Sequence, residues 1–387
     1  MSYTLVDVIP FDLGREITPN LLAASFTSSW EDRADNRRRR TLIGDTVFSG
    51  FRRFSDDTVA DCDIFADGVG VFTLHIDKNV DSLANNVAEQ LLIDRRRDHL
   101  DKLEGRDPVL QELSRLVDVL RSSLTTAHTR KSASPLWEYG GYSYIFSIYH
   151  FSDGPSPLTD PSVLYSLLEP SVVGIEDTPL MDDMTIDISP VGDSLVEEYS
   201  VDLRTAVHGY VSWSNVIVIG DSRARDDYIC LEVRLQHWWF YIYTLKSQAK
   251  EALSSNSATI DIHSLEEIQL SLSLALVEVK SINDSSLPRR DRAILERMVD
   301  TSEITKELGD AKQILDILQF RENRKVQERR SQHQSVATIL LAVIAVLQAY
   351  QPLRSITGFM TSAISTIASA LILVGALGVL VYVVVRN

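Results

Sequence analysis

The chain has 387 residues, enough for two or three domains with cores of their own. Its 54 Asp and Glu outnumber its 38 Lys and Arg, and a net charge of −16 excludes a general nucleic-acid coat or a duplex partner. Two cysteines, Cys62 and Cys230, are too few for a disulfide framework and fit a reducing compartment.

The opening residues, MSYTLVDVIPFDLGRE, have neither a basic nor an apolar leader region, so no signal peptide is expected. Tyr3–Ile9 reads as a strand, and Asp63–Ile76, Leu136–Phe151 and Ala206–Ile219 are rich in valine, isoleucine and aromatics in partly alternating order. Between them Asn85–Ile93 and Asp107–Ser123 read as amphipathic helices, the second carrying Leu110, Leu113, Leu116 and Leu120 as its stripe. Gly68-Val69-Gly70 lacks a third glycine and reads as a strand or hairpin. Mixed strands and helices predict an α/β or α+β cytosolic head over residues 1–225. Gly154–Asp193, rich in Pro, Ser and Asp, reads as long loops. Basic residues cluster at Arg37–Arg40, Arg52–Arg53, Arg95–Arg97, Arg289–Arg292 and Arg321–Arg330, and two of these runs are candidate sites, Arg37, Arg38, Arg39 and Arg40, then Arg95, Arg96 and Arg97. Their plain reading is solvated surface. Their functional reading is contact with a small anionic, nucleotide-type ligand, because guanidinium forks match phosphate oxygens.

Residues 226–334 read as a helical and stalk region: Asp226–Ser254, Ile260–Ser281, a break at Asn283–Pro288, a restart at Arg289–Val299, then a long helix from Ser302. Ile304, Leu308, Ala311, Leu315 and Leu318 alternate by four and three, the seam of a coiled coil. One helix cannot bury such a seam alone. Bundling with copies of the chain or with the preceding helices is expected.

Residues 335–387 are almost free of charge and predict a hairpin of two transmembrane helices, about 335–352 and 358–385, with Pro352 ending the first. Five basic residues in RENRKVQERR precede the first span, so both termini are expected in the cytosol of a multi-pass protein of the cell membrane, in contact with lipid. Tyr350, Gln351 and Arg354 fall at the expected pore mouth. Thr361, Ser362, Ser365 and Ser369 give the second span a polar side, read as close helix packing or as a hydroxyl-lined water path.

Catalytic motifs are missing: no GxxxxGK[ST], HExxH, CxxC or GxSxG. No enzyme and no cofactor is expected. His237 precedes Trp238-Trp239-Phe240-Tyr241 and reads as core. Asp182-Asp183 and Glu197-Glu198 lack a spacing that would define a metal site.

The order of β-containing head, Asp226–Leu245, stalk Ile304–Arg330 and the pair Ser335–Tyr350 and Gly358–Val385 resembles the CorA-type magnesium channel family. In that family a Gly-Met-Asn signature closes the first span; here the place reads Gln348-Ala349-Tyr350-Gln351-Pro352. The resemblance implies a homo-oligomeric channel of four or five subunits with altered ion selectivity, gated through its head. Diverged hairpins of this kind also look like membrane effectors of antiviral defence, in which a nucleotide signal controls ion flow. A divalent-cation transporter and a non-conducting, membrane-tethered scaffold are the alternatives.

Overall fold

The computed structural model describes residues 2–14, 16–22, 24–32, 37–79, 91, 93–94, 107–124, 138–139, 142–143, 146–152, 161–168, 196–204, 207–213, 215–254, 262–280 and 287–356, and the single positions 367, 375 and 378. The chain divides into two units, residues 1–315 and 316–387.

The first unit is built on a mixed nine-stranded sheet. Its strands are β1 (Ser2–Asp12), β2 (Glu31–Asp32), β3 (Thr46–Arg53), β4 (Thr58–Phe65), β5 (Val69–Asn79), β8 (Phe146–Phe151), β9 (Ser200–Arg204), β10 (Val207–Val211) and β11 (Asn215–Ile219). The short pair β6 (Glu138–Tyr139) and β7 (Tyr142–Ser143) forms a separate hairpin. The order across the main sheet is β2-β3-β4-β5-β1-β8-β11-β10-β9. Every neighbour is antiparallel except β8 and β11, which run parallel, Ser147 opposite Asn215. The helices are α1 (Ala24–Thr27), α2 (Arg37–Ile43), α3 (Pro108–Ser123), α4 (Pro161–Leu168), α5 (Ser222–Ser254), α6 (Ile262–Lys280), α7 (Arg289–Thr301) and α8 (Ile304–Ile356).

The period of two along a strand decides what each face of the sheet carries. Ile9 and Phe11 of β1 share a core with Ala60, Cys62 and Ile64 of β4, Phe72 and Leu74 of β5, and the stripe of α3. Tyr3 and Leu5 point the same way and join Tyr149, Phe151, Ile217 and the apolar side of α4. Burying side chains of this size contributes about 1.5–3 kcal/mol each. The other face of the sheet is covered by α5, which packs on β1, β5 and β11. α3 starts where its sequence says it should: the Asp107 carboxylate accepts from the amides of Val109 and Leu110 at 2.8 and 3.2 Å, and Pro108 follows in the first turn. Such a cap is worth about 1 kcal/mol.

The β-rich stretches all hold strands: Asp63–Ile76 contains the end of β4 and most of β5, joined by a hairpin turn at Gly68, which adopts φ +88°, Leu136–Phe151 contains β6, β7 and β8, and Ala206–Ile219 contains β10 and β11. Helix α2 and strands β3 and β9 were not foreseen. Asn85–Ile93 is described only at Leu91 and Ile93, and Gly154–Asp193 only at Pro161–Leu168, which is helical where loops were expected.

The C-terminal hairpin of two membrane-crossing helices is overturned: no helix among the described residues is long and apolar enough to cross a membrane. Pro352 does not end a span. The helix that begins at Ile304 runs on to Ile356, so the turn expected after Pro352 is helical. Its apolar run Val336–Leu347, between Gln334–Ser335 and Gln348, covers about 18 Å, against a hydrocarbon core of about 30 Å. Residues 358–385 lie outside the described residues except for the single positions given above.

The seam residues Ile304, Leu308, Ala311, Leu315 and Leu318 are all buried within the single chain. Lys246 of α5 anchors the first turns of α8, donating to Glu307 at 2.6 Å and Asp310 at 3.1 Å.

Candidate functional site

Because Ala60, Cys62 and Ile64 turn into the core, Asp61 and Asp63 must face the opposite side of the sheet, where α2 and α5 lie. Both carboxylates are 1% exposed and both meet Arg39. Its guanidinium donates to Asp63 at 2.5 Å and stands 3.6 Å from Asp61. Ser49 completes Asp63 with a bond of 2.7 Å, and His75 of β5 lies 3.2 Å from Asp61 through Nε2. Burial alone would lower the Arg39 pKa, but the charges of Asp63 and Asp61 and the hydrogen bond to Asp63 outweigh it and hold the group well above its ordinary value. Burial raises Asp63, with Arg39 and Ser49 opposing. The Cys230 thiol, beside Arg39, is pushed up to about 12 by burial and is no nucleophile at neutral pH.

A second ionic group adjoins the first. Arg38 forks onto Asp227 of α5, Nε to Oδ1 at 2.6 Å and Nη2 to Oδ2 at 2.5 Å. Arg290 of α7 reaches the same carboxylate at 3.2 Å. Asp291 lies 3.6 Å from Arg38 and 3.5 Å from Arg290. Two arginines and two nearly buried aspartates thus alternate in a closed set that ties α2, α5 and α7 together. Hydrogen bonding to Asp227 raises the Arg38 pKa.

Between these groups opens a cavity of about 200 Å³, lined by Arg38, Arg39, Asp61, His75, Arg223 and Cys230 among others. The amino end of α5 forms one wall, with the Asp221 carboxylate capping it at the amide of Ala224, 2.8 Å away. Arg225 takes up Asp226 at 3.0 Å. Arg223 is exposed and forms no ion pair among the described residues.

Of the arginines singled out in the sequence, Arg38 and Arg39 therefore meet in one pocket and Arg40 is exposed. The Arg37 side chain and Arg95, Arg96 and Arg97 lie outside the described residues. Tyr350, Gln351 and Arg354 sit in the last turns of α8 with side chains outside the described residues, as are Thr361, Ser362, Ser365 and Ser369 altogether. The residues that sequence reasoning missed are Asp61, Asp63, His75, Arg223, Asp227 and Asp291; Arg290 lay in a basic run to which no role was given. Ala-Asp-Cys-Asp-Ile-Phe puts the two acids on the face opposite the core residues, and nothing in that alternation says that their own face is buried as well. His237 is structural: its ring stacks on Phe65 at 3.7 Å and its Nε2 meets Asp67 at 2.7 Å. Among the described residues no cluster of His, Cys, Asp and Glu is arranged to hold a metal ion. On α5, outside the pocket lining, Glu232 is fully buried and accepts from Gln236 at 2.8 Å; burial pushes its pKa up to about 8.

No protein-family model, no curated protein and no solved structure matches the chain.

Proposed function

We propose that the chain is a non-enzymatic, ligand-responsive regulatory protein, in which a small anion entering the pocket competes with Asp227 for Arg38. The observation that carries this reading is the closed set Arg38–Asp227–Arg290–Asp291 at the edge of the cavity. Arg38 is the accessible member, with its side chain 39% exposed, while Asp227 and Asp291 are 3% and 2% exposed. A ligand oxyanion that takes the Arg38 fork leaves a nearly buried Asp227 with Arg290 alone, and such a loss is costly. The strain falls on α7, which leads directly into α8. The pocket is thereby a sensor and α7 its first moving part. Neither a pore nor a membrane location enters this reading.

The nucleotide-type signal suggested by the arginine clusters is retained in a narrower form. A cavity of about 200 Å³ lies below the roughly 300–1,000 Å³ usual for drug-sized ligands. It suits an inorganic or organic monophosphate and excludes an oligonucleotide.

Calorimetric titration of the full chain with orthophosphate and ethyl phosphate tests the reading. Binding is expected, and Arg38→Gln is expected to weaken it at least tenfold. Hydrogen exchange of residues 289–301 should rise on ligand addition in the wild type. No binding, or binding that Arg38→Gln leaves unchanged, overturns the proposal.

A further inference from the structure

Helix α6 is apolar on two sides and covered on one. Leu272, Ala275 and Val279 are buried, on the side where the helix packs against α5. Opposite them Leu270, Leu274 and Val277 are 63%, 57% and 61% exposed. These three are spaced by four and then three, so they line up as one stripe. That spacing is the one by which a helix seats its side chains between those of another helix. A helix apolar all round is normally covered all round. A convex stripe fits a second helix, whereas a small molecule needs a concave site.

The charges beside the stripe say which helix. Glu266 stands exposed one turn before it, and Lys280 stands exposed just beyond its end. With Leu270, Leu274 and Val277 as the core positions, both fall in the same flanking row of the helix. In a parallel pair of α6 helices Glu266 would face Glu266 and Lys280 would face Lys280. In an antiparallel pair each Glu266 comes level with Lys280 of the other copy, Leu270 comes opposite Val277, and Leu274 lies beside the two-fold axis.

We propose that α6 is a self-association surface: two copies of the chain pair antiparallel through Leu270, Leu274 and Val277, with Glu266 and Lys280 setting the direction. The pairing is isologous and closes at two copies. Three side chains from each copy give less than the roughly 1,200–2,000 Å² of a standard interface, so the dimer forms and dissociates with concentration. The charge pairs are exposed and choose the orientation more than they add affinity. No residue lining the pocket belongs to α6, so the proposal stands independently of the anion reading.

Sedimentation velocity of the full chain from about 5 µM to about 500 µM tests it. The average mass is expected to rise from one chain toward two and to go no further. Leu274→Glu changes an exposed position, so it should leave the urea midpoint in place while weakening the dimer about tenfold or more. Glu266→Lys and Lys280→Glu should each weaken it about threefold, and the two together in one chain should restore it. In a parallel pair neither single exchange would matter, because like charges would still face like. A chain that stays single up to the highest concentration overturns the proposal, as does association that Leu274→Glu leaves unchanged. Single exchanges without effect overturn the antiparallel arrangement.

Discussion

Glu232 sits on the same helix as Asp227 but no arginine among the described residues answers it. Its carboxyl is fully buried and accepts one hydrogen bond from Gln236, and its pKa stands at about 8 against an ordinary 4.5. Between those two values the folded chain holds a proton that the unfolded chain has lost. Stability must therefore fall as pH rises from about 4.5 to about 8 and level off above that. The difference is worth on the order of 5 kcal/mol. Glu232→Gln keeps the bond from Gln236, removes the titration, and is expected to be more stable than the wild type by about 2–3 kcal/mol at pH 8. Urea midpoints taken between pH 5 and pH 8.5 check it: the wild-type midpoint should slope downward and the variant's should not. Parallel curves for the two proteins would mean that the carboxyl is ionised in the folded state. At this scale the sequence was legible only for the cations. Arg38 and Arg39 stood out as part of a basic run. Asp61 and Asp63 did not, because an acid alternating with apolar residues in a strand reads as a solvated face. Only the docking of α2 and α5 on that face buries them, and docking is a long-range event with no local signature.

Among the elements, those with a strong period were legible: β1, the stripe of α3, and the helical run from α5 to α8. Boundaries were less so. The turn between β4 and β5 was legible only as one of two readings of Gly68-Val69-Gly70, strand or hairpin, because a sequence does not declare the positive φ of Gly68 that decides between them. Helix α2 was hidden by its own composition, since Arg-Arg-Arg-Arg carries no apolar stripe and the helix is held through Arg38 and Arg39. The passage of α8 through Pro352 departs from the rule that placed a turn there: a proline costs a helix one amide donor and crowds the preceding turn, yet this helix continues to Ile356. The junction between α7 and α8 carries a testable irregularity. Glu303 follows the cap residue Ser302 at φ +54°, a left-handed conformation that glycine adopts without a Cβ penalty. Its carboxylate accepts from Lys306 at 2.6 Å on the exposed surface, and an exposed ion pair of this kind contributes little. Glu303→Gly should thus stabilise the chain by about 0.5–1 kcal/mol, read from the urea midpoint. A loss of stability would indicate that the side chain matters more than the backbone at this turn.

At the scale of the whole molecule, a mixed head of strands and helices was readable from the alternation of periods, and the strand order was not. Nothing local in Ser2–Asp12 announces that it pairs with both β5 and β8. The C-terminal hairpin was read from apolar composition alone, and the described part of the chain forms a single helix across its first half instead. The position of β1 also has a consequence for synthesis. This strand leaves the ribosome before all its partners, yet it occupies the middle of the sheet. Its edge toward β8 waits until Phe146–Phe151 has been made, roughly 10 s later at bacterial-type elongation rates. Throughout that interval a segment of alternating valine, isoleucine and phenylalanine presents an unpaired edge to its surroundings. Nascent chains of this protein should accordingly bind a holdase such as trigger factor until Phe151 has cleared the exit tunnel, and release it afterwards. Ribosome-bound chains stalled at increasing lengths and probed by crosslinking would reveal this. Chaperone contact that ends as soon as β5 has emerged would place closure of the sheet earlier than the order of its strands requires.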